Sequence, residues 1–388
     1  MARGDLLPFI QKVELIATLS IVGILLVSCT LENTTFENTS SGSITQPFRI
    51  GAILPLTKNT VSVGEEVKRG IDLAVEEVNK KGGINGSPLV AVYEDDQCDA
   101  KVAVTAAQKL IHVDEVPVII GPTCSSNVLA VAPLAEKKKV VVITTVASTP
   151  KITSAGDFIF RNTPSGDEYS KAIADFSFWN LSARTAGILY VNLDNGIDYK
   201  DSFINEFTTL GGTILTSESY EKDDRDFRTQ LLKIKEANPN ILFHAGQIGV
   251  GEFLKQAKEI GIKGSIIGPV TMEQKDLFKS AGDSAEGVVY SAPAFDPQDK
   301  RIASFEQRFK EKYETTASVR EATAYDAVHI LAPLLSSCGK DTTCIKDGLY
   351  KVHAYPGVSG ITSFDQYGDV VKPIMMKTIK NQRFVPCC

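Results

Sequence analysis

A chain of 388 residues with 43% hydrophobic and 23% charged side chains can bury a large core, and its length fits two domains. The net charge of −6 comes with Lys and Arg scattered among the acids, so no basic stripe marks a nucleic-acid surface and nucleic acid is excluded as a partner. His112, His244, His329 and His353 are far apart and no CxxC pair occurs, which leaves no metal-ligand spacing.

The first elements in the chain are a leader and a tether. After Arg3 and Lys12 comes the apolar run "LIATLSIVGILLV", Leu15 to Val27. Its 13 residues fall short of a membrane span and suit the h-region of a secretion signal. The run ends at "LVSC", which resembles the lipobox of prokaryotic lipoproteins; that resemblance implies lipidation of Cys29 and a membrane anchor on the outer face of the cell membrane. Residues 1–29 are therefore expected to be a signal peptide, and the Ser-, Thr- and Asn-rich residues 30–47 a flexible tether. Of the seven cysteines Cys29 belongs to the signal, and outside the cytoplasm disulfides are the default reading for Cys98, Cys124, Cys338 and Cys344, with Cys387 and Cys388, as chain neighbours, left unassigned.

From Phe48 short β-branched runs alternate with amphipathic stretches. "RIGAIL", "LVAVYEDD", "VPVIIG" and "VVVIT" read as strands, separated by helical patterns that begin near "GEEVKRG", after a cap at Asp99, and at "SSNVLAV". After Pro164 the rhythm restarts with five strand patterns and intervening helices, ending at "GVVYSA". Two further helices, "SFEQRFKEKY" and "REATAYDAVHILAPLL", and the strands of "GDVVKPIMMKTIK" follow. Apolar strands alternating with helices predict an α/β protein of two doubly wound parallel-sheet lobes, with a ligand between their carboxyl edges.

One turn carries candidate chemistry. In "GPTCSSN", Gly121 to Asn127, a thiol stands beside two hydroxyls, and this arrangement fits a nucleophile, half a disulfide or an anion cradle. Ser125 and Ser126 follow a strand and open a helix, where N–H groups and the helix dipole favour a carboxylate. Ala147, Ser148 and Thr149 follow the next strand and are placed to contribute. Helix capping is the alternative role for Ser125. No acid–base pair, metal-ligand set or phosphate loop accompanies these residues, so neither an enzyme nor a cofactor is expected.

The segments "IGAILPLT", "KGGINGSPLVAVYEDDQCDAKVAV", "IIGPTCSS", "AEG" (285–287), "AYDA" (324–327) and "SFDQYGD" (363–369) together resemble the branched-chain amino-acid binding proteins, the leucine/isoleucine/valine type of extracytoplasmic solute receptor that feeds an ABC transporter. The resemblance runs from about Phe48 to Val385. It implies a type I periplasmic-binding fold with a hinge crossed three times, lobe one holding 48–164 and 294–360 and lobe two 165–293 and 361–388. It also implies a monomer whose partners are a small carboxylate ligand and an ABC permease, and closure of the lobes on the ligand.

By the same resemblance, the Ser125 hydroxyl, the Val146 backbone and the Ser148 hydroxyl grip the ligand's carboxylate, and Cys98 is bridged to Cys124. Cys338 and Cys344 form a second, local bridge in this reading. Val270 stands where relatives place the acid that takes the ligand's ammonium, and Val63, Asn195, Gln247 and Arg320 stand at positions of closing aromatics. Two readings stay open. Either Glu273 or Glu321 supplies the missing charge for an amino acid, or the ligand is a carboxylate or amide without an ammonium, with Arg320 meeting a second anionic group or being a solvated charge at a helix start.

Overall fold

The computed structural model describes residues 46–274, 276–294 and 298–387. The leader with Cys29, the tether up to residue 45, and Cys388 lie outside these residues.

Strand β1 (Phe48–Leu54) is buried from Ile50 onward, as a central strand covered on both faces must be. Around it lie β2 (Leu89–Asp95), β3 (Val118–Ile120), β4 (Val141–Thr144) and β5 (Ile159–Arg161) in the order β2-β1-β3-β4-β5, all parallel. Helices α1 (Val61–Lys80), α2 (Ala100–His112) and α3 (Ser125–Lys138) make the connections. Val67, Ile71, Ala74 and Val78, spaced for one helix face, are the buried stripe of α1. Asp99 caps α2 by accepting from the N–H groups of Lys101 and Val102. Strand β5 was not anticipated: its three residues are too short to show a period.

The second lobe repeats the scheme with β6 (Thr185–Val191), β7 (Thr213–Tyr220), β8 (Ile241–Ala245), β9 (Ser265–Gly268) and β10 (Val289–Pro293). Its helices are α4 (Gly166–Trp179), α5 (Asp194–Thr209), α6 (Arg228–Ala237), α7 (Val250–Ile260) and α8 (Leu277–Ala281). The chain then returns to lobe one for α9 (Lys300–Tyr313), α10 (Val319–Cys338), α11 (Thr342–Leu349), β11 (Tyr355–Gly357), β12 (Gly360–Phe364) and β13 (Val370–Val371), and ends with β14 (Ile374–Lys380) and β15 (Arg383–Pro386). The second sheet has the order β15-β14-β10-β9-β8-β6-β7. It is not wholly parallel as predicted, because β14 and β15 join as an antiparallel hairpin on the edge of β10.

The lobes have separate cores. Clusters built from β1–β5 and their helices contain no residue of the second lobe, and the clusters around Phe243 and Tyr290 contain none of the first. One boundary differs from the expectation of 361–388 in lobe two. Phe364 and Val370 lie in the first lobe's core, the Phe364 ring sits 5.6 Å from that of Phe160, and Asp369 bridges to Arg161 beside β5. The third crossing therefore falls at Lys372–Pro373, after this apolar anchor. Among the described residues no helix is long and apolar enough to cross a membrane.

Candidate functional site

The first lobe presents its strand ends to the cleft. Gly121, at the end of β3, has φ +93°, and a Cβ there would lie 2.2 Å from the Ile53 carbonyl oxygen of β1, so the tight turn requires glycine. Cys124 then bonds to Cys98 with Cα atoms 5.7 Å apart, which removes the thiol as a nucleophile. Cys338 and Cys344 form the second bridge. Beneath the first bridge lies Asp96, fully buried, which accepts from the Cys98 N–H at 3.0 Å and the Asn127 side-chain amide at 2.8 Å. Burial pushes its carboxyl up, and these bonds pull against that shift while fixing the start of α3.

Ser125 is the first residue of α3, and the N-cap position belongs to Cys124, which makes no side-chain cap bond. Capping is thus not the role of Ser125. Its Oγ accepts from the Thr149 N–H at 3.4 Å and so ties α3 to the loop after β4. Ser126 Oγ donates to Asn127 Oδ1 at 3.3 Å, and Ala147 is buried in the lobe-one core. The loop itself is held from below by Arg161, wholly buried, which donates to the carbonyls of Ser148 (3.3 Å) and Thr149 (2.9 Å) and pairs with Asp369 at 2.7 Å. Sequence reasoning missed Arg161.

Across the cleft, Ser148 Oγ meets Tyr199 OH at 2.9 Å, Thr149 Oγ1 donates to Asp198, and Lys151 reaches Asp194 at 3.4 Å. Burial pushes the Tyr199 phenol up to about 12, so it stays a neutral donor. These contacts close the lobes around a cavity of about 30 Å³. Val146, Ser148, Gln247, Val270 and Arg320, all singled out in the sequence, line it, together with Thr145, Tyr169, Tyr199 and Thr271, which were not. Asn195 stands behind Gln247, donating to its amide oxygen at 3.2 Å. Ser125, Ser126, Ala147, Asn195 and Glu273 are not in the lining.

Neither proposed substitute for the missing acid reaches the cavity. Glu273 accepts from Tyr290 OH at 2.6 Å and Lys377 Nζ at 2.5 Å, in the wall of an adjoining groove of about 890 Å³. Glu321 is buried, caps α10 by accepting from the Ser318 N–H and pairs with Arg69 at 2.8 Å. Arg320 is not a solvated charge either. Its side chain is 12% exposed and donates to buried Glu66 at 2.9 Å. The cavity wall is thus rich in hydroxyl, amide and guanidinium donors, with no carboxylate, imidazole or thiol among its lining residues. Such a wall offers donors to an anionic group, and its lining residues supply no base for nucleophilic chemistry.

The profile of a family described as "Periplasmic binding protein" matches residues 47–383. A leucine-, isoleucine-, valine-, threonine- and alanine-binding protein of Pseudomonas aeruginosa is 27% identical over 81% of this chain and 85% of its own length. The crystal structure of a leucine-binding protein from Thermotoga maritima superposes with a TM-score of 0.82 at 27% identity, covering 88% of this chain and 97% of that one. An ABC-transporter solute-binding protein of Rhodopseudomonas palustris, solved with 3,4-dihydroxybenzoic acid, gives 0.79 at 26% identity, covering 88% and 95%.

Proposed function

The chain belongs to the periplasmic binding protein family, and from that premise we propose that it is an extracytoplasmic receptor that captures a small carboxylate between its lobes and delivers it to an ABC permease. The relatives are solute receptors rather than enzymes, and those with named ligands take amino acids or an aromatic acid, all of them carboxylates. The observation that carries the reading is the junction of α3 and the β4 loop. There the Ser148 hydroxyl and Val146 of the loop line the cavity, while α3, whose first residue Ser125 accepts from the Thr149 N–H, holds that loop in place without lining the cavity itself. An anionic end group is the ligand feature this junction is built to hold.

The cavity's size gives the mechanism. About 30 Å³ admits roughly one or two water molecules, so a ligand enters with the lobes apart. It docks on lobe one through its carboxylate, takes the place of the Ser148–Tyr199 contact, and gains lobe-two contacts on closure. A permease then reads the closed shape. A lipid anchor at Cys29 keeps the receptor at the outer face of the membrane in this reading.

Calorimetric titration of the full chain with amino acids, non-amine carboxylates and amides tests the proposal. At least one carboxylate binds, and Ser148→Ala weakens it about 10-fold, the loss of one hydrogen bond to a charged group. Binding of uncharged amides alone, or carboxylate binding that ignores Ser148→Ala, contradicts it.

A further inference from the structure

We propose that Arg320 is a ligand-binding residue that takes a second carboxylate, so that the preferred ligand is a short dicarboxylate without an ammonium group. The inference rests on the receptor reading above and names its ligand class.

A ligand ammonium buried in this cavity needs a carboxylate partner, since an unpaired buried charge is costly. Among the described residues no acid lines the cavity, and four neighbouring acids already have partners: Glu66 with Arg320 and Ser318, Glu321 with Arg69, Glu273 with Lys377, and Asp198 with Thr149. The donors point the other way. A guanidinium carries five N–H groups, and among the described residues only Glu66 bonds to that of Arg320, through Nη1. The Nε–Nη2 edge keeps the fork geometry that accepts a carboxylate side on. Gln247 receives Asn195 at its amide oxygen, leaving its NH₂ as a donor. The Thr145 hydroxyl, 2% exposed and in the lining, has no hydrogen-bond partner among the described residues.

Val146, Val270 and Val319 give the wall an apolar side as well, but an aliphatic ligand end placed against the guanidinium would strip it of water without offering an acceptor. A second carboxylate fills the fork, while Glu66 orients the guanidinium and offsets its charge. Ser148 and Val146 in the loop after β4 keep the first carboxylate, so the two ends of the ligand are read by different elements.

The test is calorimetric titration of the full chain with succinate, glutarate, butyrate, L-aspartate and L-leucine at near-neutral pH. Succinate or glutarate is expected to bind about 10-fold or more tighter than butyrate, and succinate tighter than L-aspartate, which adds only an ammonium. Arg320→Met should cost the dicarboxylate at least about 10-fold more than it costs butyrate. Arg320→Lys keeps the charge beside Glu66 and loses the fork; should the Met variant fail to fold, a loss of about 5-fold or more in the Lys variant carries the same conclusion. Dicarboxylate affinity unchanged in both variants overturns the inference. Tight L-leucine binding that Ser148→Ala weakens overturns it too, yet leaves the receptor reading intact. Absence of binding by every carboxylate overturns both.

Discussion

Arg161 shows how a single side chain sets the binding turn without lining the cavity. It is fully buried, and its guanidinium is shared between two carbonyls of the Ser148–Thr149 turn, the Thr153 hydroxyl and Asp369. The carboxylate lies 208 positions away, so nothing local in the sequence marks the pair. His244 is the opposite case, conspicuous in sequence and remote from the cavity lining. It stacks on Phe253 at 4.3 Å in the second core, and burial pushes its imidazole down to about 3. The folded protein keeps it neutral while the unfolded chain protonates it near 6.5. The unfolded state therefore binds more protons across that window, and this contribution to stability is lost as pH falls from 6.5 toward 3. The slope approaches about 1.4 kcal/mol per pH unit. His244→Phe, which preserves the stack, should flatten the acid limb of the unfolding free energy measured by denaturant titration. Equal slopes in both proteins would contradict this account of His244.

At the scale of elements, strands with four or more apolar residues and helices with a clear stripe were legible, because burial on both faces or on one face leaves a period. The short β5, the hairpin of β11 and β12, and β15 were not. Three to five residues carry no period, and their place is set by distant partners such as Phe364 against Phe160. The Cys98–Cys124 bridge expected in the "GPTCSSN" turn is present. Of the two hydroxyls expected to grip a carboxylate, Ser148 lines the cavity and Ser125 does not. That depends on how α3 and the β4 loop pack. The bridge closes a loop with a sequence separation of 26. Replacing both Cys98 and Cys124 by Ala should lower the unfolding free energy by about 3 kcal/mol. It should also weaken carboxylate binding, as the start of α3 loses one of its two anchors. Unchanged denaturant midpoint and affinity would show that Asp96 alone holds the turn.

At the scale of the molecule, two independent cores joined by crossings between β5 and α4, β10 and α9, and at Lys372–Pro373 give a hinge rather than a rigid block. The third crossing is anchored by Lys372, buried, its ammonium pushed down to about 8 by desolvation, donating at 2.6 Å to Ser359, whose hydroxyl donates at 2.5 Å to buried Asp326. That anchor belongs to lobe one, through Ser359 and Asp326. The two-lobe plan was readable in the sequence because each lobe restarts the strand–helix rhythm. The cavity's donor-rich wall was not, since it is assembled from the ends of seven elements in both lobes. The most direct test of the central claim is a crystal structure of the full chain grown with the tightest carboxylate from the titrations. The account predicts a ligand enclosed between the lobes, its carboxylate in hydrogen-bond contact with Ser148 Oγ in the loop after β4. A ligand seated instead in the groove beside Glu273 and Phe384, or bound without contact to Ser148, would contradict it.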